Sequence, residues 1–227
     1  MNILLVNDDG IDSKRLMFTK RCLEKIAKVT VVAPLKEQSG RSCAISIDGI
    51  KYKKVTNDIY TVDGTPADCV TFGIYGLNNS YDFVVSGVNN GYNLGVDTMY
   101  SGTVGAALQA LYHNHKAVAL SGHKQSNETI DSLLEITLNY IIDQKMLSKE
   151  YIINVNFPIK IDKDSLFQPS MTKPYFIRRG ATASFDDYVC RVKRNKISVD
   201  LPSDSDLFAI RNGKVSISKI YLSGEVI

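Results

Sequence analysis

The sequence predicts an α/β fold, a mostly parallel sheet covered by helices, on three observations. Ile3-Leu4-Leu5-Val6 is an apolar run without alternation, as in a strand covered on both faces. A helical stripe follows it and leads into a second apolar run, which together make a β-α-β unit. The first run empties into two adjacent carboxylates, Asp8 and Asp9, and open α/β sheets bind ligands at the carboxyl ends of their strands.

The elements follow in order. After the first strand, Gly10 permits a sharp turn. A helix is expected from Ser13, its cap, to Lys28, with Leu16, Thr19, Leu23 and Ile26 on one face. Val29 to Ala33 reads as the second buried strand, stopped by Pro34, and the polar loop Lys36 to Ser42 brings Ser39 to the edge where Asp8 lies. Short strands are expected at Ala44–Ile47, Tyr52–Thr56 and Ile59–Val62, between the turn signals Asp48-Gly49 and Asn57-Asp58. Thr65-Pro66-Ala67-Asp68 has the form of a helix start, with Thr65 as cap and Asp68 facing the helix's positive end.

Tyr81–Val85 reads as the third core strand, opening onto a glycine- and asparagine-rich loop from Ser86 to Gly95. Ser101-Gly102-Thr103 leads into a helix over Val104–Tyr112. Ala117–Leu120 is a strand, Ile130 to Ile141 an amphipathic helix, and Ile152–Val155 a further strand. Helical periodicity fades after Phe157, and Arg178 to Pro202 has the pattern of a projecting hairpin or arm. The expected organisation is a core over residues 1–157, with a segment over 158–227 that completes the fold and carries the arm at about 178–202.

Composition narrows the functional classes. A chain of 227 residues holds one α/β domain, or a core with a small appendage. The net charge of +3, from 27 basic and 24 acidic residues, is too mild to argue for a stable nucleic-acid complex or for binding to an anionic membrane. No apolar stretch approaches a membrane span. The first strand begins at the amino terminus, so a cytoplasmic protein is expected. Cys22, Cys43, Cys69 and Cys190 are scattered without a C-x-x-C pair and read as buried free thiols.

Chemistry concentrates at the strand ends. Two adjacent carboxylates repel one another, and a bound cation with hard oxygen ligands, such as Mg²⁺ or Mn²⁺, is the usual remedy. Ser101-Gly102-Thr103 sits at a loop-to-helix junction, where free N–H groups, two hydroxyls and the helix dipole suit a phosphate. Asn89 and Asn93 offer amide oxygens to a metal or amide N–H groups to a phosphate. His113 and His115 lie at a helix end on different faces, and His123 lies in a loop. A Ser-His-Asp pattern, a phosphate loop ending in Gly-Lys-Ser/Thr and a G-x-G-x-x-G turn are all missing from the sequence.

The constellation resembles the SurE (stationary-phase survival protein E) family of metal-dependent nucleotidases. The resemblance rests on Ile-Leu-Leu-Val-Asn-Asp-Asp-Gly at the start, Val32-Ala33-Pro34 with Gln38-Ser39-Gly40, and Gly-Thr-Pro-Ala-Asp-Cys-Val over 64–70. It continues in Val-Val-Ser-Gly-Val-Asn over 84–89, Asn93-Leu94-Gly95 and Tyr-Ser-Gly-Thr-Val over 100–104, and extends more weakly to Asn154-Val155-Asn156 and Asp206-Leu207-Phe208-Ala209.

The resemblance implies a Rossmann-like three-layer α/β/α sandwich with a projecting carboxyl-terminal β-hairpin arm, assembled as a homodimer or homotetramer partly by exchanged arms. It implies that Asp8, Asp9, Ser39 and Asn89 hold one divalent ion per subunit, Mg²⁺, Mn²⁺ or Co²⁺. Asn93, Ser101, Gly102 and Thr103 would engage the phosphate, with Asp8, Asp9 and Asn93 catalytic. Where the family usually has Ala-Pro-Gly after the acidic pair, this chain has Ser13-Lys14-Arg15.

The expected activity is therefore hydrolysis of nucleoside 5′-monophosphates, or of 3′-monophosphates, to nucleoside and phosphate. The sequence is equally compatible with direct attack by water and with a phosphorylated Asp8. The alternative is a non-catalytic Mg²⁺-dependent receiver or nucleotide-sensing module, since paired acids at the first strand end also suit phosphoacceptor switches. Against it stand the Ser-Gly-Thr cradle and the want of an isolated Asp ending the third core strand.

Overall fold

The computed structural model describes residues 1–161, 167, 169–195 and 199–222. In chain order these form β1 (Asn2–Val6), α1 (Lys14–Leu23), β2 (Lys28–Pro34), β3 (Lys51–Lys54), β4 (Ile59–Asp63), α2 (Pro66–Thr71), β5 (Phe83–Asn90), α3 (Gly102–Tyr112), β6 (Ala117–Gly122), α4 (Asn127–Asp143) and β7 (Tyr151–Phe157). The carboxyl-terminal part adds β8 (Ser170–Thr172), β9 (Ala181–Asp186), β10 (Val189–Arg194), α5 (Asp206–Arg211) and β11 (Ser216–Tyr221).

One sheet runs in the order β3-β4-β2-β1-β5-β6-β7-β11-β8, and β9 and β10 form a separate ribbon. Strands β4, β2, β1, β5, β6 and β7 are mutually parallel, so their carboxyl ends share one edge. β3 pairs antiparallel with β4 and β11 antiparallel with β7. Successive side chains of β1 point to opposite faces. Ile3 and Leu5 join Leu16 of α1 and Leu134 of α4, while Leu4 and Val6 join Val70 of α2 and Ala106 and Ala107 of α3. Two apolar layers therefore sandwich the sheet, which explains the unbroken apolar run of β1, and the α/β expectation holds.

The caps are those the sequence indicates. Ser13 accepts from Leu16 N, Ser101 from Val104 N, and Thr65 with Asp68 forms a reciprocal capping box. Four expectations are corrected. α1 stops at Leu23 rather than Lys28, because the chain must turn before Lys28 N bonds to Met1 O and opens β2. Ala44–Ile47 is not a strand: Ser46 donates its N–H and hydroxyl to Asp68, and Thr65 donates to Ala44 O, so side chains hold it as a loop. The third core strand continues through Ser86 to Asn90, with a register slip against β6 between Ser86 and Asn89. Of the cysteines only Cys69 is buried; Cys43 and Cys190 are exposed.

The ribbon β9–β10 occupies the expected arm, and both its strands are exposed along their length. Residues 196–198 of the expected arm lie outside the described residues. Among the described residues no helix is long and apolar enough to cross a membrane.

Candidate active site

The turn after β1 builds the site. Gly10 has φ +93°, and a Cβ there would lie 3.3 Å from the backbone of Lys36, so both conformation and space require glycine. Buried Asn7 braces the turn by donating to Gly10 O at 2.9 Å. Ile11 N donates to Pro34 O and Gln38 N to Asp8 O, which docks the loop after β2 against the acidic pair and carries Ser39 there.

Asp8 is 2 % exposed and faces the start of α3. Thr103 donates its hydroxyl to Oδ1 at 2.7 Å and its backbone N–H to Oδ2 at 3.1 Å. Gly102 permits this approach, because a Cβ there would stand 3.0 Å from the Asp8 Cβ and 3.1 Å from its Oδ2. Burial pushes the Asp8 carboxyl up, and the Thr103 bonds oppose that rise. The helix start has four N–H groups without intrahelical partners. Of the groups of Ser101 to Val104, that of Thr103 goes to Asp8 and that of Val104 to Ser101 Oγ, which among the described residues leaves those of Ser101 and Gly102; Gly105 N–H makes the first intrahelical bond, to Ser101 O.

Asp9 accepts from Asn90 N at 3.2 Å. Burial, then the charge of Asp8, push its carboxyl up to about 6. Among the described residues neither acid forms an ion pair with a Lys or Arg. Asn89 donates its amide nitrogen to Gly91 O at 3.0 Å, which leaves Oδ1 as an acceptor. Ser39 donates to Glu37, an acid that raises the carboxyls of both Asp8 and Asp9 and that sequence reasoning passed over.

Asn93 is held from behind. Its N–H donates to Asn156 Oδ1, its carbonyl accepts from the amides of Asn154 and Asn156, and its own amide donates to Ser121 Oγ at 2.8 Å. Asp206 at the start of α5 accepts from Gly95 N at 2.7 Å and from Tyr175 N and Leu207 N, anchoring the loop that follows Asn93. Asn154 and Asn156 carry a signal that sequence alone could have used: two amides at period two inside an otherwise apolar strand place polar groups on one buried face.

Asp8, Ser39, Asn89, Asn93 and Ser101 line one cavity of about 270 Å³, together with Asp97, Tyr100 and Arg194. Asp9 lines an adjoining cavity of about 730 Å³ that shares Ser39 with the first. Thr103 is fully buried behind Asp8 and spends its hydroxyl there rather than on the cavity.

The donors fit a hard divalent cation: two carboxylates that form no ion pair among the described residues, an amide oxygen left free and a serine hydroxyl. Among the described residues no three Asp, Glu, His or Cys side chains gather around one point, so the set depends on neutral oxygens as much as on charge. The histidines stand apart. His113 is held between Tyr75 and Gln109 at the end of α3, and His123 lies beside the ring of Tyr92.

Comparison with known proteins points to one family. The family model described as "Survival protein SurE" matches residues 3–178. A 5′/3′-nucleotidase SurE of Wigglesworthia glossinidia brevipalpis is 41% identical over 163 residues, which are 70% of this chain and 64% of that one. A 5′-nucleotidase SurE of Thermoanaerobacter sp. (strain X514) is 34% identical over 235 residues, 97% of this chain and 92% of that one. The crystal structure of a SurE protein from Aquifex aeolicus superposes with a TM-score of 0.84 at 28% identity, covering 97% of this chain and 93% of that one.

Proposed function

Because the chain belongs to the SurE family, we propose that it is a metal-dependent nucleotidase that hydrolyses nucleoside 5′-monophosphates to nucleoside and phosphate. The observation that carries the reading is the buried carboxylate of Asp8, set against the start of α3 in the same cavity as Asn89, Asn93 and Ser101. Asp8, Asp9, Ser39 and Asn89 would hold one divalent ion per subunit, Mg²⁺, Mn²⁺ or Co²⁺. Bound there, the ion supplies Lewis-acid polarisation of a phosphoryl oxygen and a water of lowered pKa.

The chain's own groups do the rest. Asn93, fixed by the amides of β7, the hydroxyl of Ser101 and the N–H of Gly102 receive the phosphoryl oxygens and stabilise charge gathering on them. Thr103 keeps Asp8 in one orientation, so that no reorganisation is needed at the moment of reaction. The helix start favours the anion electrostatically.

The arm supports a homodimer or homotetramer, since Phe185, Tyr188 and Val192 are exposed on a ribbon that has no covering surface among the described residues. A cytoplasmic location is part of the same proposal.

The test is phosphate release from AMP with Mg²⁺, Mn²⁺ or Co²⁺ and with chelator. Release that needs the ion and disappears in Asp8→Asn is the expected result. Release insensitive to chelator, or none from any nucleoside monophosphate, would overturn the reading.

A further inference from the structure

Arg15, on the first turn of α1, makes five hydrogen bonds to four acceptors, on β5, on β6, in the loop after β6 and on α4. Nη1 donates to Asn89 O at 2.9 Å and to Gly122 O at 2.7 Å, tying the carboxyl ends of β5 and β6 together. Nη2 donates to His123 O at 2.8 Å and to Asn127 Oδ1 at 2.7 Å, and Nε donates to the same Asn127 oxygen at 3.1 Å.

One turn further along α1, Thr19 Oγ1 donates to Arg15 O and accepts from Val88 N. These contacts fall where the β5–β6 ladder slips, between Ser86 and Asn89. The backbone that carries Asn89 is therefore pinned by side chains of α1 where the sheet itself is irregular. With its carbonyl held by Arg15 and its amide nitrogen by Gly91 O, Asn89 has one direction left for Oδ1.

We propose that Arg15 is a positioning residue for the divalent-cation site, fixing the strand end that presents Asn89; this rests on the reading of Asp8, Asp9, Ser39 and Asn89 as the metal's ligands. Two effects of the guanidinium oppose each other. As a cation beside a cation site it repels the metal, so removing charge alone would tighten binding. As a planar fork bridging four acceptors it holds the ligand in place, so removing it loosens binding. Supporting partners of metal ligands are typically worth about 10- to 100-fold in affinity, more than a partly solvated charge at the rim contributes.

The experiment is Mn²⁺ titration calorimetry on the full chain, with metal-free melting curves, for the wild type, Asp8→Asn, Arg15→Gln, Arg15→Lys and Asn127→Ala. Arg15→Gln is expected to bind Mn²⁺ about 10-fold or more weakly. Arg15→Lys should lose as much, because one ammonium keeps the charge but cannot span the four acceptors. Asn127→Ala, which loosens Arg15 without changing charge, should lose in the same direction and decides the matter if Arg15→Gln does not fold. A wild type that binds, an Asp8→Asn that does not, and an Arg15→Gln that binds as tightly as the wild type or tighter would overturn the role of Arg15 alone. A wild type that takes up no Mn²⁺ would overturn the metal reading and the inference with it.

Discussion

Thr103 donates both its hydroxyl and its backbone N–H to the carboxylate of Asp8, so one residue of α3 orients both oxygens of the acid that ends β1. The start of α3, which suits an anion, is thus partly occupied by a protein carboxylate. Asp8, Asn93 and Ser101 are among the residues that line the cavity there. The acid and the proposed phosphate cradle share the start of α3.

Thr103→Val keeps the shape and removes the hydroxyl from a buried charge. The loss is expected to cost about 1.5–3 kcal/mol of stability, the range for a hydrogen bond to an ionised group. AMP turnover should fall about 10- to 100-fold through misorientation of Asp8. Thr103→Ser, which keeps the donor, should recover most of both. Melting curves beside steady-state kinetics check this, and a Val variant with wild-type turnover would show that Asp8 needs no such support.

Asp9→Asn should abolish metal-dependent turnover yet stabilise the metal-free protein at neutral pH. The folded carboxyl titrates near 6 through burial and the charge of Asp8, above its ordinary 3.8. Between those values the folded chain binds more protons than the unfolded one, so wild-type stability falls as pH rises through the window. The variant escapes that fall. Its melting temperature should exceed the wild type's at pH 7.5, and the advantage should shrink as pH drops through 6 towards 4. An advantage independent of pH would mean that the ionisation of Asp9 does not cause it.

Much of this was legible in the sequence because it is local. The unalternating β1, the caps at Ser13, Thr65 and Ser101, and the placing of Ser39 beside Asp8 follow from short-range pattern and from the rule for strand ends. What escaped is long-range. The part played by Arg15 depends on β5, β6 and α4 meeting, and Asp206 reaches Gly95 across 111 positions. β11, Ser216 to Tyr221, mixes polar and apolar residues and is held as a strand by long-range pairing with β7 on one side and β8 on the other. The strand expected at Ala44–Ile47 had β-branched residues but lost them to a loop, since Asp68 and Thr65 supply the partners a sheet would have given. Ser86 to Asn90 has loop composition, and β6 pairs with it nonetheless.

Asn156→Ala should lower turnover without weakening Mn²⁺ binding. Asn156 both accepts from Asn93 N and donates to Asn93 O, and none of the ligand set depends on it. Its loss leaves a buried N–H unpaired, a cost of about 1–3 kcal/mol, and frees Asn93 to move. The expected result is a drop in kcat with an unchanged Mn²⁺ isotherm; a parallel loss of metal affinity would show that Asn93 and the cation site are not separable.

The arm is expected to hold subunits together. A two-stranded ribbon is marginal alone in water, and this one exposes Phe185 at 78 % and Tyr188 fully, with Val192 at 67 %. Its ties to its own chain include the Arg194–Asp97 ion pair and the stacking of that guanidinium over Tyr100, both at the surface, where such contacts contribute about 0–1 kcal/mol. Apolar side chains on such a ribbon favour a second copy that covers them, and closed symmetric exchange is the ordinary solution. Replacing residues 181–194 with a short Gly-Ser linker should lower the mass seen by light scattering at micromolar protein while leaving the sheet's melting transition in place. An unchanged mass in the shortened chain would put the interface elsewhere, and a monomeric full-length protein would remove the arm's proposed role altogether.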